Sequence, residues 1–454
     1  MIWRFGMDYW SVNMVRMVLI LGVVWGGVAE VRGQVIRESV KFSASDGSQF
    51  DWFGVSVAIS DGRLIMGSIN DDDLGSASGS VYVFDEGSGD QVFKLLASDG
   101  TAGDHFGHSL AVDQGVLVVG VPEDDSNGAL SGSVYIFDLE TGVQTAKLVP
   151  HDVEFDDRFG WSVAVDNGIV AVGSKFDDDL GVNSGSVYLY SASSGELLRK
   201  VLPDDGEASD FFGWSVDLDN GVLAVGALFD DESTIDSGSV YLFDVSSGNQ
   251  LGKLLPEPSE LRMQFGVSIS IDDGIVAVGA DRYGSNYGSV FLFDVETGDQ
   301  LFKLHPDEPN ETGLFGIALD LEGSVLVVGG ILGHGLVYVF DATTGEQVSK
   351  LLPDPIPWST GYGESVSISN GKVVVGASAD NEVDDQSGSA FLFSINACKC
   401  HADLNSDGSL NFLDVSEFLS VFVEHDSLAD FDSNGSFNFL DVSAFLSAFA
   451  EGCP

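Results

Sequence analysis

Two short stretches near the C-terminal end hold the residues best suited to chemistry. Asp403, Asn405, Asp407, Asn411 and Asp414 fall at positions 1, 3, 5, 9 and 12 of a twelve-residue loop, with Gly408 at position 6 and Ser409 at position 7. Alternating oxygen donors around a sharp glycine turn, with a backbone carbonyl at position 7, are what a Ca²⁺ ion needs. Asp430, Asp432, Asn434, Ser436, Asn438 and Asp441, around Gly435, repeat the pattern 27 residues later. Each loop runs into apolar residues at helical spacing, Val415, Phe418, Leu419 and Phe422, then Val442, Phe445, Leu446 and Phe449. Two such helices can bury their stripes against each other.

Other reactive residues form no comparable set. Of seven histidines, only His105 and His108 are close in sequence, and neither has a serine or cysteine partner in a nucleophile pattern, so both read as surface or packing residues. Carboxylates are too abundant for a glycosidase pair to be singled out. Cys398, Cys400 and Cys453 all flank the calcium loops. In an oxidising compartment a bridge clasping the ends of that segment is expected, and a Cys400–Cys453 link would contribute roughly 4 kcal/mol on the chain-entropy model. Three cysteines at these spacings do not make a zinc site.

The 454 residues include 71 Asp plus Glu against 19 Lys plus Arg, a net charge of −52. Such a surface repels nucleic acid and anionic membranes. With 44% hydrophobic and 11% aromatic residues the acidity must decorate a packed core rather than a disordered chain. Arg4 and Arg16 precede an apolar run, Met17 to Val28, followed by small residues. The run is short of the roughly 20 residues that span a bilayer, so residues 1–33 read as an export signal cleaved after Ala29 or Gly33, with no membrane insertion afterwards.

What must position these residues is a repeat. Phe-Gly recurs at Phe53, Phe106, Phe159, Phe212, Phe265 and Phe315, and Tyr362-Gly363 makes a seventh copy. Each unit holds four strand-length apolar runs. The first two are joined by an X-Gly pair: Asp61-Gly62, Gln114-Gly115, Asn167-Gly168, Asn220-Gly221, Asp273-Gly274, Glu322-Gly323 and Asn370-Gly371. Such pairs suit a type I′ hairpin, whose central residues need positive φ. Four antiparallel strands of this length describe one propeller blade. The fold class is therefore an all-β, seven-bladed β-propeller over residues 34–394, followed by a small α-helical calcium-binding module at 398–454. The seventh unit lacks its fourth run, so Val35 to Phe42 is expected to supply the outer strand of the last blade. A lysine recurs in every fourth strand, at Lys41, Lys94, Lys147, Lys200, Lys253, Lys303 and Lys350. Lysine on an outermost strand discourages edge-to-edge pairing.

The long acidic loops, such as Asp71-Asp72-Asp73, Glu123-Asp124-Asp125, Asp177-Asp178-Asp179 and Asp230-Asp231-Glu232, all fall at one end of the blades. They could present carboxylates to Ca²⁺, but their spacing is not that of a cage. The expectation is a solvated, mutually repelling loop set that favours solubility.

Phe-Gly-x-Ser-Val, Val-x-Val-Gly and Ser-Gly-Ser-Val-Tyr-x-Phe (Ser131 to Phe137) resemble the FG-GAP repeat, the blade unit of integrin α-subunit heads. The resemblance covers roughly residues 34–394. The Asp-x-Asp-x-Asp-Gly cage of integrin-like blades is replaced here by the tight X-Gly turn, so no blade calcium site is implied. The C-terminal pair of EF-hand-like loops, with aspartate at position 12, resembles a type I dockerin. That resemblance implies that Phe412, Leu413, Phe439 and Leu440 contact a cohesin-like partner. The alternative is that these four pack the module's own core.

Together these features lead us to expect a secreted or cell-surface, non-catalytic binding or scaffold protein with a monomeric propeller. Its propeller would take a protein or glycan and its Ca²⁺ module would dock it. The competing expectation is a dockerin-borne polysaccharide-active enzyme, a glycoside hydrolase or lyase, with its site on the propeller face.

Overall fold

The computed structural model describes residues 34–282, 287–307, 312–333, 335–354, 360–381, 383–395, 412–424, 429, 431, 441–443, 445, 446 and 449. Within them the sevenfold repeat forms seven antiparallel sheets whose strands follow one another outward in chain order. The first blade is Phe53–Ser60, Arg63–Ser68, Ser80–Asp85 and Gln91–Leu95. The first strands of all seven blades touch their neighbours in one closed cycle, the seventh meeting the first, so they surround the axis.

The Phe-Gly pair explains how the blades join. Glycine after the aromatic residue takes positive φ, +88° at Gly54 and +91° at Gly160, and bends the first strand. A second glycine, in the second strand, lets the next blade approach: a Cβ on Gly67 would run into the Gly107 carbonyl, and one on Gly376 into that of Gly54. Ser56 Oγ donates to that Gly107 carbonyl at 2.6 Å, and Ser365 Oγ to Gly54 at 2.8 Å. The joint that closes the ring is thus built like the others. The aromatic residues themselves are buried, and Phe53 meets Tyr82 edge-on at 5.4 Å. Tyr362, the seventh copy, satisfies its extra hydroxyl by donating to the Leu351 carbonyl at 3.0 Å. Seven apolar clusters result, each straddling one joint between blades. Burying large apolar side chains, at roughly 1.5–3 kcal/mol each, therefore holds blades to one another rather than each blade to itself.

Two expectations need correcting. The N-terminal segment is not one strand on the last blade. Val40–Phe42 does pair with Ala390–Leu392 of blade seven, but Gln34–Arg37 adds a fifth strand beside Gln347–Leu352 of blade six. Between them Ser39 N donates to the Leu392 carbonyl at 2.7 Å, while Arg37 Nη1 reaches the Pro353 carbonyl and Glu38 accepts from Asp354 N. Sheet twist separates neighbouring outer edges, so one extended segment crossing the joint can satisfy both. Second, the sixth hairpin is not turned by Glu322-Gly323. Glu322 ends its strand opposite Val325, and the turn is Gly323-Ser324, with φ +54° at Gly323. Glycine at the first central position suits a type II′ turn. The other X-Gly pairs have positive φ at both residues, as at Asn167 and Gly168.

At the C-terminal end the helix Phe412–Glu424 places Phe418 flat against Phe445, with centroids 4.1 Å apart and 3° between planes. Phe431 packs edge-on against both rings, and Val415, Phe422, Val442 and Phe449 flank them. Leu419 and Leu446, expected in the buried stripe, are instead 55% and 51% exposed. Each lies one residue, about 100° of helix, beyond its buried phenylalanine, so the core-facing stripe is narrower than the sequence pattern. Asp441 is buried, and Phe412, Leu413 and Asp414 lie on the helix backbone. The remaining calcium-loop residues, Phe439, Leu440, the three cysteines, and residues 1–33 fall outside the described residues.

Candidate functional site

The acidic loops lie where the second and third strands connect and where the chain passes between blades. The expectation of a mutually repelling set is overturned in blades one to four and seven, because there the fourth-strand lysine reaches into the loop. In blade one, Lys94 Nζ lies 2.7, 3.0 and 2.7 Å from Asp46, Asp71 and Asp73. Tyr82, from the third strand, donates its hydroxyl to Asp46 or Asp71 at 2.7–2.8 Å. Lys147 with Asp99 and Asp124, Lys200 with Asp152, Asp177 and Asp179, and Lys253 with Asp205, Asp230 and Glu232 repeat the arrangement. Burial alone pushes the Asp124 carboxyl up, but hydrogen bonds from Lys147, Ser126 and Ser133 outweigh it and hold the group at about 2. The lysine is the resident cation of each of these loops. Blade seven keeps a reduced version, Lys41 to Asp380 at 2.8 Å, with Phe391 where tyrosine stands in blades one to four. Among the described residues no trio of metal-ligating side chains converges.

One column of the repeat departs from this uniformity. The residues following each Phe-Gly or Tyr-Gly pair are Val55, His108, Trp161, Trp214, Val267, Ile317 and Glu364. They open the axial strands on the loop face, and in blades two to four they form a continuous ring stack. His108 lies 4.5 Å from Trp161, and Trp161 lies 5.3 Å from Trp214, centroid to centroid. Phe211 extends the stack beyond Trp214 and touches Phe176 and Phe229 at 5.1 and 5.0 Å.

Lys175, just past the second strand of blade three, lays its ammonium 2.8 Å from the Trp161 centroid and 4.3 Å from that of Trp214. It is 5% exposed, and no hydrogen-bond or ion-pair partner reaches its Nζ among the described residues. Burial, and then the positive charge of Arg158, lowers its pKa to about 7. His108 is held neutral, at about 4, by burial and then by Lys175. Its Nδ1 is buried with no partner. At the rim, Arg158 pairs with Glu123 and with Asp156, and His105 Nδ1 lies 2.9 Å from Glu123. His105, partly buried beside Glu123, and His108, in the aromatic cluster, both fall within the expected surface or packing roles.

Deeper along the axis, Asp217 and Asp320 accept the backbone N–H groups of Ile271 and Ile368 at 2.8 Å, each on the next blade, and Ser270 lies 3.3 Å from Asp320. Burial, the leading effect, raises them to about 7 and about 6. Glu364, at the mouth in blade seven, is raised to about 7 by burial while accepting from Ser378 N at 2.7 Å. These acids are engaged in stitching blades or loops together.

A closed ring of four-stranded blades around an axial mouth defines a seven-bladed β-propeller. The FG-GAP repeat model matches residues 36–84, 90–137, 143–190, 197–243 and 346–393, more than half of the chain, and the protein belongs to the FG-GAP repeat family. The later matched spans start at one blade's outer strand and end on the next blade's third. No curated protein matches the chain. Among solved structures, the computationally designed Ika8 protein aligns at 17% identity over 80% of this chain and 99% of its own, with a TM-score of 0.48. Among the described residues no helix is long and apolar enough to cross a membrane.

Proposed function

We propose that the protein is a secreted, non-catalytic binding or scaffold protein. Its propeller engages a protein or glycan at the loop face, and its C-terminal segment anchors or docks it through Ca²⁺ loops. The observation that carries the binding reading is the aromatic arc His108–Trp161–Trp214–Phe211 at the axial mouth, around an unpaired buried ammonium. Elsewhere the fold repeats its side chains; here it varies them, and clustered part-buried aromatic residues at the mouth of a fold are what recognition sites use. The residue pattern Asp403 to Asp414 and Asp430 to Asp441 supports the calcium reading.

Pull-down from the native extracellular fraction, with and without Ca²⁺, tests both halves. Trp161→Ala with Trp214→Ala should lose the propeller's partner whether or not Ca²⁺ is present, while Asp403→Ala with Asp430→Ala should lose only partners retained by Ca²⁺. The enzyme alternative is tested on a polysaccharide panel, where release of reducing ends would replace the binding reading.

A further inference from the structure

We infer that the axial mouth of blades two to four binds a neutral glycan, with one sugar ring against the Trp161–Trp214 indoles and its hydroxyl groups meeting Lys175 Nζ and His108 Nδ1. The inference rests on the binding reading above and names the ligand class of that site.

Two polar groups at this mouth have no hydrogen-bond partner among the described residues. Lys175 Nζ, on a side chain 95% shielded from solvent, offers N–H donors and meets only aromatic rings. His108 Nδ1 is buried and unpartnered. Both groups lie against the same indole. Buried polar groups of native proteins are nearly always satisfied, so the Nδ1 orphan beside a shielded ammonium points to an absent partner.

The chemistry of the pair selects that partner. A carboxylate or sulfate only accepts, so it would serve Lys175 but would serve His108 only in the tautomer that carries its proton on Nδ1. An ammonium group only donates, so it would serve His108 and be repelled by Lys175. A hydroxyl group donates and accepts, and serves both. The surrounding surface agrees. A chain of net charge −52, with acidic loops on this face, disfavours a polyanion at long range, whereas an uncharged ligand is indifferent to that field. The indoles supply flat apolar area for the C–H face of a pyranose, and the adjoining Phe211 and Phe229 extend it for a neighbouring sugar.

The test is titration of the full-length protein with neutral hexasaccharides (cellohexaose, xylohexaose, mannohexaose and laminarihexaose) and with hexagalacturonate, followed by tryptophan fluorescence and calorimetry. The expected result is saturable binding of at least one neutral hexamer, unchanged between 0.1 and 0.5 M NaCl, and none of hexagalacturonate. Trp161→Ala, Lys175→Met and His108→Phe should each weaken it about tenfold or more, consistent with losing one buried hydrogen bond or stacking contact. His108→Gln, whose amide oxygen restores an acceptor, should recover most of the affinity. That rescue separates a direct contact from a folding defect.

Preference for hexagalacturonate, with salt weakening and no effect of His108→Phe, would make this an anion site and overturn the inference while leaving the binding reading intact. Neutral binding untouched by all four variants would place the ligand elsewhere and also overturn it. If no hexamer binds, the glycan assignment fails. The binding reading fails as well only if Trp161→Ala with Trp214→Ala retains every partner in the pull-down.

Discussion

Replacing Lys147 by methionine removes the resident cation of the second blade's acidic loop while keeping the length of the side chain. Lys147 Nζ lies 2.8 Å from both Asp99 and Asp124, and the Asp124 side chain is only 4% exposed. Breaking a fully buried pair costs roughly 3–5 kcal/mol. Asp99 is half open to water, which shares its charge, so a cost of about 2–3 kcal/mol is expected. An unfolding entropy of about 2.1 cal/mol/K per residue over roughly 360 residues gives about 0.75 kcal/mol/K, so Tm should fall by about 3–4 °C at pH 7.

The pH dependence identifies the cause. The folded pKa of Asp124, about 2, is below its ordinary 3.8, so its contribution is complete above about pH 4 and is lost as the pH falls through 2. The Tm gap between wild type and Lys147→Met should therefore close between pH 4 and pH 2. Adding Asp124→Asn to the variant should recover much of the loss at pH 7, because it removes the stranded charge. Differential scanning calorimetry across that range reads both. A gap that persists unchanged at pH 2, together with no recovery by Asp124→Asn, would refute the ion-pair account and assign the loss to packing.

Other consequences can be checked on the same material. Phe42→Ala empties a buried position on the strand that closes blade seven, and should cost about 3–5 kcal/mol, or roughly 4–7 °C in Tm; an unchanged melt would show that the ring does not depend on this strand. Glu364→Gln should match wild type near pH 4.5 and exceed it by about 3 kcal/mol at pH 8. The wild-type carboxyl is raised to about 7, so its favourable contribution is present below pH 4.5 and lost as the pH rises through 7, and the amide does not titrate; equal melts at both pH values would contradict the assignment. EGTA should lower a separate thermal transition of the full-length protein, and Asp403→Ala with Asp430→Ala should mimic it. No change in either experiment would contradict calcium-coupled folding.

The ring itself was legible because its determinants are local and repeat. Phe-Gly bends, X-Gly turns and strand-length apolar runs recur in register, and tertiary packing leaves them where the pattern puts them. The lysine clusters were half legible. In blades one to four the lysine hydrogen-bonds an aspartate 48 residues earlier, a constant offset that self-alignment displays. That the offset marks contact depends on the outer strand of one blade lying beside the loop that enters the same blade, which is a fact of three-dimensional closure. The aromatic arc escaped the reading because Trp161, Trp214 and His108 lie 53 residues apart in sequence and look like isolated substitutions. Taken as one column of the repeat, they form the place where the pattern stops being uniform. The split N-terminal segment and the exposed Leu419 and Leu446 had no such signal, since strand-edge geometry and the width of a helix contact are set by the neighbouring element.

The measurement closest to the central claim is hydroxyl-radical footprinting of the full-length protein, free and saturated with whichever hexasaccharide binds most tightly. The account predicts protection concentrated on Trp161, Trp214 and Phe211, with residues of blades five and six unchanged. Protection on the outer strands, or on the side of the ring opposite Trp161, would contradict it.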